Sequence, residues 1–380
     1  MNPSPVYLDN NATTRLLPEA RAAMDPFLDA CYANPSSPYN MARSASRALA
    51  KAREQVAALA GCDPARVVFT SGGTESNNLA LHLGLAAHPN RRRLVISAVE
   101  HASVLHPAQT WARQGGTVSV IPVTHEGALD MQALREAIGS DTALVSIMAA
   151  NNESGICYPV DECAALAHQA GALFHTDAVQ AFGKIPFTAG PADLVSLCAH
   201  KLHGPKGAGA LIVPPHQIGL GLMQGGEQEF GLRAGTENVA ALAGFGVAAE
   251  NALSQREPLA AKLEVWRADF EQSVTTLLSG LTVLGATQPR LPNTTLLAIE
   301  GVKTEALLAQ LDWAGFCCSS GSACAAGAQQ PSHVAKAHGW AEIGALLRIS
   351  TSRYTKKTEL ENLVALLVDG VKQLRTMHRL

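Results

Sequence analysis

The stretch that decides the fold reads DLVSLCAHKLHGPKG and runs from Asp193 to Gly207. An apolar run ends in the pair His200-Lys201, and glycine and proline follow at once. This order predicts that Lys201 lies where a buried strand gives way to a loop, which is where open α/β sheets bind ligands. A lysine there either reaches for water, or becomes a nucleophilic amine that can form a Schiff base with an aldehyde.

Length and composition indicate a large globular protein. The chain has 380 residues, which favours two packed units over one ordinary domain. Hydrophobic residues make up 47% and charged residues 16%, so a large core can form, and the formal net charge of −3 gives no reason to expect a nucleic-acid partner. No apolar run approaches the roughly 18 residues that span a bilayer. The start, MNPSPVYLDN, lacks a signal-peptide pattern, which predicts a cytoplasmic protein.

Short strand-like runs alternate with helical patterns through most of the chain. Strands are predicted at 67–70, 94–97, 118–123, 143–148, 173–175, 195–198 and 209–213. This alternation predicts an α/β fold with a mainly parallel sheet covered on both faces. Towards the C-terminus the pattern changes to that of a smaller α+β unit. We therefore predict a large domain at 16–257 and a small domain made of 1–15 and 258–380, with Pro258 kinking or breaking a long helix.

The loops at the ends of several predicted strands carry polar residues: Glu100-His101, Asn151-Asn152-Glu153, Thr176-Asp177 and His200-Lys201. Because the carboxyl ends of parallel strands meet at one edge of a sheet, these loops predict an active site there. The run Ser71-Gly72-Gly73-Thr74 adds a turn between strand and helix, whose free N–H groups can bind an anion. It is not a Walker A loop, since no Gly-Lys-Ser/Thr follows, and an ordinary capped turn is the alternative.

Together these residues suit pyridoxal 5'-phosphate (PLP), which needs four kinds of protein group. Lys201 would bind the aldehyde, and Asp177 would face the pyridine nitrogen. Gly73 and Thr74 would hold the phosphate, and His101 would lie over the ring. Two more predicted contacts are Gln180 at the ring oxygen and His200 at the phosphate.

Eight cysteines are present, without a CxxC pair or a zinc spacing, so we expect no built-in metal site. Most of them are predicted to be small apolar core residues. Cys324 differs because it lies in a run of small residues, SSGSACAAGA, inside a predicted loop at about 317–331. It is either an incidental cysteine in a linker or, opposite a PLP site, a nucleophile that acts as its thiolate.

The sequence resembles a cysteine desulfurase of the NifS/IscS type, in the aminotransferase class V branch of fold-type I PLP enzymes. The matching segments, in order along nearly the whole chain, are YLDNNATTR (7–15), NPSS (34–37), FTSGGTESNN (69–78), EH (100–101), NNESG (151–155), HTDAVQ (175–180), HKLHGPKG (200–207), RAGTEN (233–238), SSGSAC (319–324), PSHV (331–334) and LRIS (347–350). The implied architecture is the fold-type I PLP-dependent transferase, with the large and small domains given above.

The resemblance implies PLP-dependent removal of sulfur from L-cysteine, which gives L-alanine and a persulfide on Cys324. The implied catalytic residues are Cys324, Lys201 and His101. The implied cofactor contacts are Lys201, Gly73, Thr74, His101, Asn152, Asp177, Gln180, Cys198, Ala199, His200 and Thr236, the last reaching the phosphate of the neighbouring subunit in a homodimer. The implied substrate contacts are Asn34, Asn152 and Arg348, the arginine holding the substrate carboxylate. The implied sulfur acceptor is an iron–sulfur scaffold protein, with which Cys324 could briefly share a cluster.

Alternatives remain within and outside this family. One is a selenocysteine lyase or an aminotransferase of the same fold, and another is a sulfur donor for tRNA or cofactor thiolation. A sulfur carrier without catalysis and a metal-dependent hydrolase are less favoured, because Lys201 argues against the first and no HExxH spacing supports the second. The chain departs from the family pattern at Cys198, where many relatives have a serine, and a thiol is the weaker phosphate donor. It also departs at Tyr39, Phe230 and Thr351-Ser352, none of which removes a group that the mechanism needs.

Overall fold

The computed structural model describes residues 5–215, 221–321 and 332–377. In chain order the helices and strands are β1 (Val6–Tyr7), α1 (Pro18–Leu28), α2 (Ala42–Ala60), β2 (Val67–Thr70), α3 (Gly73–Ala86), β3 (Arg93–Ser97), α4 (Ala102–Arg113), β4 (Thr117–Ile121), α5 (Met131–Ala137), β5 (Thr142–Ser146), α6 (Val160–Gln169), β6 (Leu173–Asp177), β7 (Leu194–Cys198), β8 (Gly209–Ile212), α7 (Val239–Leu277), β9 (Leu281–Val283), β10 (Thr294–Ile299), α8 (Thr304–Trp313), β11 (Phe316–Cys317), α9 (His333–Ala337), β12 (Ala345–Ser350) and α10 (Lys357–Met377).

The large sheet has the strand order β2-β8-β7-β6-β5-β3-β4. Strands β3 to β7 pair in parallel, whereas β8 runs antiparallel to both of its neighbours. Because β8 is antiparallel to both β2 and β7, those two strands point in the same direction. The carboxyl ends of β2, β3, β5, β6 and β7 therefore meet at one edge. The α/β fold with a mainly parallel sheet is confirmed.

Largely apolar runs explain why these strands lie in the centre. Every residue of β5 and β7 is buried, as expected for strands with helices on both faces. Helix α3 packs its Leu79 and Leu83 with Leu94 and Leu144 of the sheet. Gly84 permits the close approach, since a Cβ there would come within 2.8 Å of the Leu144 side chain. The helix that starts at Gly73 is thus held tightly against the strands that position the site.

A second, smaller sheet has the antiparallel order β12-β10-β9, and β1 pairs in parallel with β11. Its core contains Leu8 together with Phe270, Leu347 and Leu363. Helix α7 continues unbroken through Pro258, so the predicted break is wrong. The proline removes one backbone N–H, while packing of α7 against α1, α2 and α10 supports the helix on both sides. None of the described helices combines the length and hydropathy that a bilayer crossing requires.

The segment that follows β1 crosses from the small sheet to the carboxyl edge of the large one. The Asn10 side-chain amide donates to the Ser350 carbonyl at 2.8 Å, and the Asn11 N–H donates to the Ser350 hydroxyl at 2.9 Å. Four residues later, the Thr14 N–H donates to the carbonyl of His200 at 3.1 Å. The N-terminal segment therefore fixes the small sheet next to Lys201.

A buried ion pair fastens the glycine-rich loop after residue 221 to the large unit. The Arg53 guanidinium contacts both carboxylate oxygens of Glu229, at 2.6 and 2.8 Å. The Phe69 backbone N–H, on β2, donates to the same carboxylate at 2.7 Å. Glu229 is only 5% exposed and lies at φ +48°, a left-handed conformation that is costly for a non-glycine residue. The contacts of this carboxylate offset that cost.

We predict that Glu229→Ala lowers the free energy of unfolding by about 3–5 kcal/mol, because it leaves a largely buried guanidinium unpaired. The matched control is Asp141→Ala, which breaks the exposed ion pair of Arg93 with Asp141. That control should change stability by no more than about 1 kcal/mol. Chemical denaturation of both variants measures the difference, and equal losses would contradict a special role for the Glu229 contact.

Candidate active site

The carboxyl edge of the large sheet brings most of the predicted site residues together. Asp177 ends β6, Cys198 ends β7, and Lys201 closes the short 3-10 turn that follows. His101 caps the N-terminus of α4 after β3, and the charges of Asp177 and Lys201 both act on its ring. The strands thus deliver a carboxylate, an amine and an imidazole to one place.

Asp177 is a carboxylate held in the interior. It is 5% exposed, and both of its oxygens accept hydrogen bonds. The Asn77 side-chain amide donates to Oδ2 at 2.6 Å, and the Val179 backbone N–H donates to Oδ1 at 3.0 Å. A buried carboxylate with fixed donors keeps its orientation, so it can serve as a partner for a protonated ring nitrogen.

Lys201 carries an amine whose charge is disfavoured by its surroundings. Its Nζ donates to the backbone carbonyls of Asn11 and Ala12, the latter at 2.6 Å. Burial is the main cause that lowers the pKa of Lys201 below its usual range. A lowered pKa increases the fraction of neutral amine, which is the nucleophilic form.

The turn between β2 and α3 forms an open cradle at a helix N-terminus. Gly72 lies at φ +153°, and nothing stands within 4 Å of where its Cβ would be. A Cβ on Gly73 would meet the Val179 side chain at 2.8 Å, so that position has no room for one. The first N–H groups of α3 have no intrahelical partners, so the N-terminus of this helix can bind an anion.

Thr74 and His101 also open onto a groove of about 750 Å³ between α3 and α4. Thr74 is exposed there and available to a ligand. Thr74 and His101 therefore share one opening on this side of the large unit.

The residues next to Lys201 in sequence are more enclosed. Ala199 and Cys198 are fully buried, and burial raises the pKa of the Cys198 thiol to about 11, so the thiol is neutral near pH 7. The His200 ring contacts the Thr13 hydroxyl at 3.1 Å. Burial, and then the charge of Lys201, lower the pKa of His200 to about 4. His200 therefore offers a phosphate a neutral ring.

Asn11 links two lysines and Gln180. Its backbone carbonyl accepts from Lys201 and, at 3.0 Å, from the Gln180 amide. Its side-chain oxygen accepts from the Lys184 amine at 3.0 Å, and that amine also donates to Gln180 Oε1. Burial, followed by the charge of Lys201, lowers the pKa of Lys184 well below its usual range. Gln180 therefore has a fixed orientation, and one of its amide hydrogens stays available.

Arg348 lies on β12 with its side chain 1% exposed. Its Nη2 pairs with Asp9 Oδ1 at 2.5 Å, and its Nη1 donates to the backbone carbonyls of Asn152, at 2.9 Å, and Gly321. The guanidinium thus already has a carboxylate partner within the chain. Its role with a substrate carboxylate stays a prediction, and so does that of the half-buried Asn152.

Two predicted residues, Asn34 and Thr236, form no hydrogen bond with this edge in the described part of the chain. Asn34 is exposed, with its side-chain oxygen accepting from the Ser36 N–H at 2.9 Å. Thr236 is exposed in the loop before α7, and its proposed contact with a second subunit is untested. Cys324 lies outside the described residues, as does most of the loop predicted at about 317–331.

The assembled groups fit PLP. An amine with a lowered pKa, a fixed carboxylate and a helix N-terminal cradle match its aldehyde, its ring nitrogen and its phosphate in turn. Lys201, Asp177 and Gly73 would make these three contacts, and His101 would face the ring. Among the residues described, no three His, Cys, Asp or Glu side chains come together as a metal site would require.

Several residues of the site were missed in the sequence. Asn77 and Ser103 connect Asp177 with His101, and Asp9, Asn11 and Lys184 surround Arg348 and Lys201. Asn11 and Asn77 stand inside the quoted segments YLDNNATTR and FTSGGTESNN, which was the available signal. Lys184 gave none, because a lone lysine in a turn is ordinarily a solvated one.

Comparisons with known proteins agree over almost the full length. A family model described as aminotransferase class-V matches residues 6–363. A protein named cysteine desulfurase from Cereibacter sphaeroides is 46% identical over 378 residues, 98% of this chain and 97% of that protein. A solved structure described as a NifS-like protein has a TM-score of 0.91 at 32% identity, over 97% of this chain and 100% of its own. Another, described as SspA in complex with cysteine, has a TM-score of 0.80 at 31% identity, over 92% of this chain and 100% of its own.

Glu100, directly before His101, is a fully buried carboxyl group. Its Oε1 accepts from the Ser97 hydroxyl at 2.6 Å and from the Met148 N–H at 2.8 Å. Its Oε2 has no hydrogen-bond partner in the part of the chain that is described. Burial raises the pKa of Glu100 to about 8, so the carboxyl keeps its proton at neutral pH.

We predict that the stability of the wild type falls relative to Glu100→Gln as the pH rises from 5 to 8. The folded carboxyl, with its raised pKa, retains a proton that the unfolded one loses above about pH 4.3. The difference between the two proteins should therefore grow by up to about 1.4 kcal/mol per pH unit. Chemical denaturation at pH 5 and pH 8 measures it, and a constant difference would contradict the raised pKa.

Proposed function

Because the chain belongs to the class-V aminotransferase family, we propose that it is a cysteine desulfurase. The reaction converts L-cysteine and the thiol of Cys324 to L-alanine and a persulfide on Cys324. The observation that carries this proposal is the meeting of Lys201, Asp177 and His101 at one sheet edge. The likeness to a protein named cysteine desulfurase, at 46% identity, supports the choice of reaction within the family.

Lys201, Asp177, Gly73 and Thr74 would hold PLP, which when bound supplies an electron sink that makes the Cα proton of an amino acid acidic. Lys201 binds through its amine and Asp177 orients the ring through its carboxylate. The N–H groups at the start of α3 neutralise the phosphate charge. Gln180, whose orientation is fixed by Asn11 and Lys184, would donate its spare amide hydrogen to the ring oxygen.

Cys324 and His101 carry the chemistry on the substrate. The Cys324 thiolate attacks the substrate sulfur, forming an S–S bond as the C–S bond breaks. The electron pair of the broken bond stays with the carbon fragment, which takes up a proton and leaves as L-alanine. His101 is the group that moves protons at this edge.

Arg348 holds the carboxylate of the substrate in this proposal, and Asp9 sets the geometry. A planar guanidinium can bind two carboxylates on different edges, so the pair with Asp9 at 2.5 Å does not block a second partner. Asn34 and Asn152 complete the substrate contacts. The proposal extends to a homodimer, with Thr236 reaching the phosphate site of the second subunit.

The persulfide sulfur goes to an acceptor protein. Iron–sulfur cluster assembly in the cytoplasm is the destination we favour, with a scaffold protein as the partner. A sulfur donor for tRNA or cofactor thiolation would use the same persulfide, so the two destinations differ only in the acceptor. A selenocysteine lyase or an aminotransferase of this fold would not need Cys324 as a nucleophile.

We predict that Cys324→Ser keeps the absorbance of bound PLP but releases no sulfide from L-cysteine in the presence of a thiol reductant. The serine hydroxyl cannot accept the sulfur, whereas the cofactor contacts are unchanged. Sulfide release and the absorbance spectrum measure the two effects. The matched control is Cys62→Ser, at a half-buried cysteine after α2, which should match the wild type in both.

Unchanged sulfide release by Cys324→Ser would contradict the desulfurase mechanism. Transfer of the amino group to a keto acid, without sulfide release by the wild type, would instead favour the aminotransferase. A wild-type protein that binds no PLP would favour a carrier without catalysis.

A further inference from the structure

A row of buried polar side chains connects Asp177 with His101. Asn77, on α3, is 1% exposed, and Ser103, on α4, is 5% exposed. The Asn77 Nδ2 lies 2.6 Å from Asp177 Oδ2 and 2.8 Å from Ser103 Oγ. Ser103 Oγ lies 2.7 Å from His101 Nδ1. Two groups that face the cofactor from different strands are thus joined through residues that would not touch it.

The hydrogen-bond directions in this row follow from the donors available. Asn77 Nδ2 has two hydrogens, and both are used, one to Asp177 and one to Ser103. The flipped amide would place its oxygen against the carboxylate, which is repulsive, so the orientation is settled by charge. Its Oδ1 is left buried without a hydrogen-bond partner among the residues described. The free-energy cost of this unsatisfied oxygen is offset by the two hydrogen bonds that Nδ2 donates.

The direction continues to the histidine. Because Ser103 Oγ accepts from Asn77, its own hydrogen is free to donate to His101 Nδ1. The Ser103 backbone N–H also donates to Nδ1, at 3.2 Å. Nδ1 is therefore an acceptor, and the neutral ring carries its hydrogen on Nε2.

Burial is the main cause that lowers the pKa of His101, which favours the neutral ring. The charge of Asp177 acts in the opposite direction, whereas the neighbouring ionisable groups Lys201, His333 and His106 lower the pKa further. A neutral ring with a committed Nδ1 has one exchangeable position, Nε2.

We propose that Asn77 is a positioning residue that sets two groups at once: it orients the Asp177 carboxylate and, through Ser103, it fixes the His101 tautomer with the hydrogen on Nε2. The proposal rests on the proposed function in so far as PLP is the ligand. The proposal predicts different effects for the loss of Asn77 and the loss of the Ser103 hydroxyl. Loss of Asn77 disturbs both the ring-nitrogen contact and the histidine, whereas loss of the Ser103 hydroxyl disturbs only the histidine.

The test compares Asn77→Leu and Ser103→Ala with the adjacent control Asn78→Ala. Asn78 donates to the Thr74 carbonyl at 2.8 Å and, at 3.4 Å, to the Ser103 backbone carbonyl, and within the described residues it has no hydrogen bond to the side chains of Asp177, Ser103 or His101. Leucine keeps the approximate shape of asparagine and removes both donors. Two readouts are taken on the full-length protein without L-cysteine: the ¹⁵N chemical shifts of the His101 ring, assigned with His101→Gln, and the absorbance and release rate of bound PLP.

The wild type should show the His101 shifts of a neutral ring protonated on Nε2. Asn77→Leu should weaken that tautomer preference, because only the Ser103 donors remain at Nδ1, and should release PLP about tenfold faster, the change expected when a hydrogen bond to a charged group is lost. Ser103→Ala should alter the His101 shifts and leave the PLP spectrum and release rate as in the wild type. Asn78→Ala should change neither.

Two results would overturn the proposal. One is an unchanged His101 ring in Ser103→Ala, which would break the link whether or not Asn77→Leu folds. The other is an Asn77→Leu protein with wild-type PLP release. Since neither readout involves sulfur, a failed desulfurase assay leaves them intact. If the wild type bound no PLP, the proposed function would fail, and the histidine shifts of the unloaded protein would still decide the link.

Discussion

The N-terminal segment that lies over Lys201 supplies the hydrogen-bond acceptors of its amine. The carbonyls of Asn11 and Ala12 accept its hydrogen bonds, and this segment is tied to Ser350 on one side and His200 on the other. An amine in such a place gains directed acceptors but loses water, so its charge is disfavoured and its reactive form is favoured. The N-terminal segment therefore connects the small sheet, the large sheet and the site at this point.

A second constraint is that the site gathers several groups of positive charge. Lys184 and Lys201 meet around Asn11 and both border a cavity of about 40 Å³. Burial is the main cause that lowers the pKa of each amine, and the charge of Lys201 lowers the pKa of Lys184 further. Asp9 and Asp177 supply the opposing charges. Asp9 pairs with Arg348, and Asp177 lies near the lysines. This balance suits the anionic cofactor of the proposed function.

The sequence allowed the edge of the sheet to be predicted, because strand patterns are local and the polar residues stand directly after them. The resemblance to class-V enzymes is confirmed, and so is the α/β fold. What could not be predicted depends on contacts between distant segments. Glu229 meets a strand and a helix that lie far upstream, and Lys184 reads as a solvated lysine. Asn77 lies within a helical pattern in which nothing indicates that its amide faces Asp177. The domain boundaries at 257 and 258 remain an interpretation.

We propose that Lys201, and not its buried neighbour Lys184, is the lysine that binds the cofactor. The amines of Lys184 and Lys201 both donate to Asn11, so the test has to distinguish two neighbouring lysines. The most direct measurement is reduction of the PLP-loaded protein with borohydride, followed by peptide mass spectrometry. We expect a pyridoxyl group on the peptide that contains Lys201. A pyridoxyl group on the Lys184 peptide, or none on either, would contradict it.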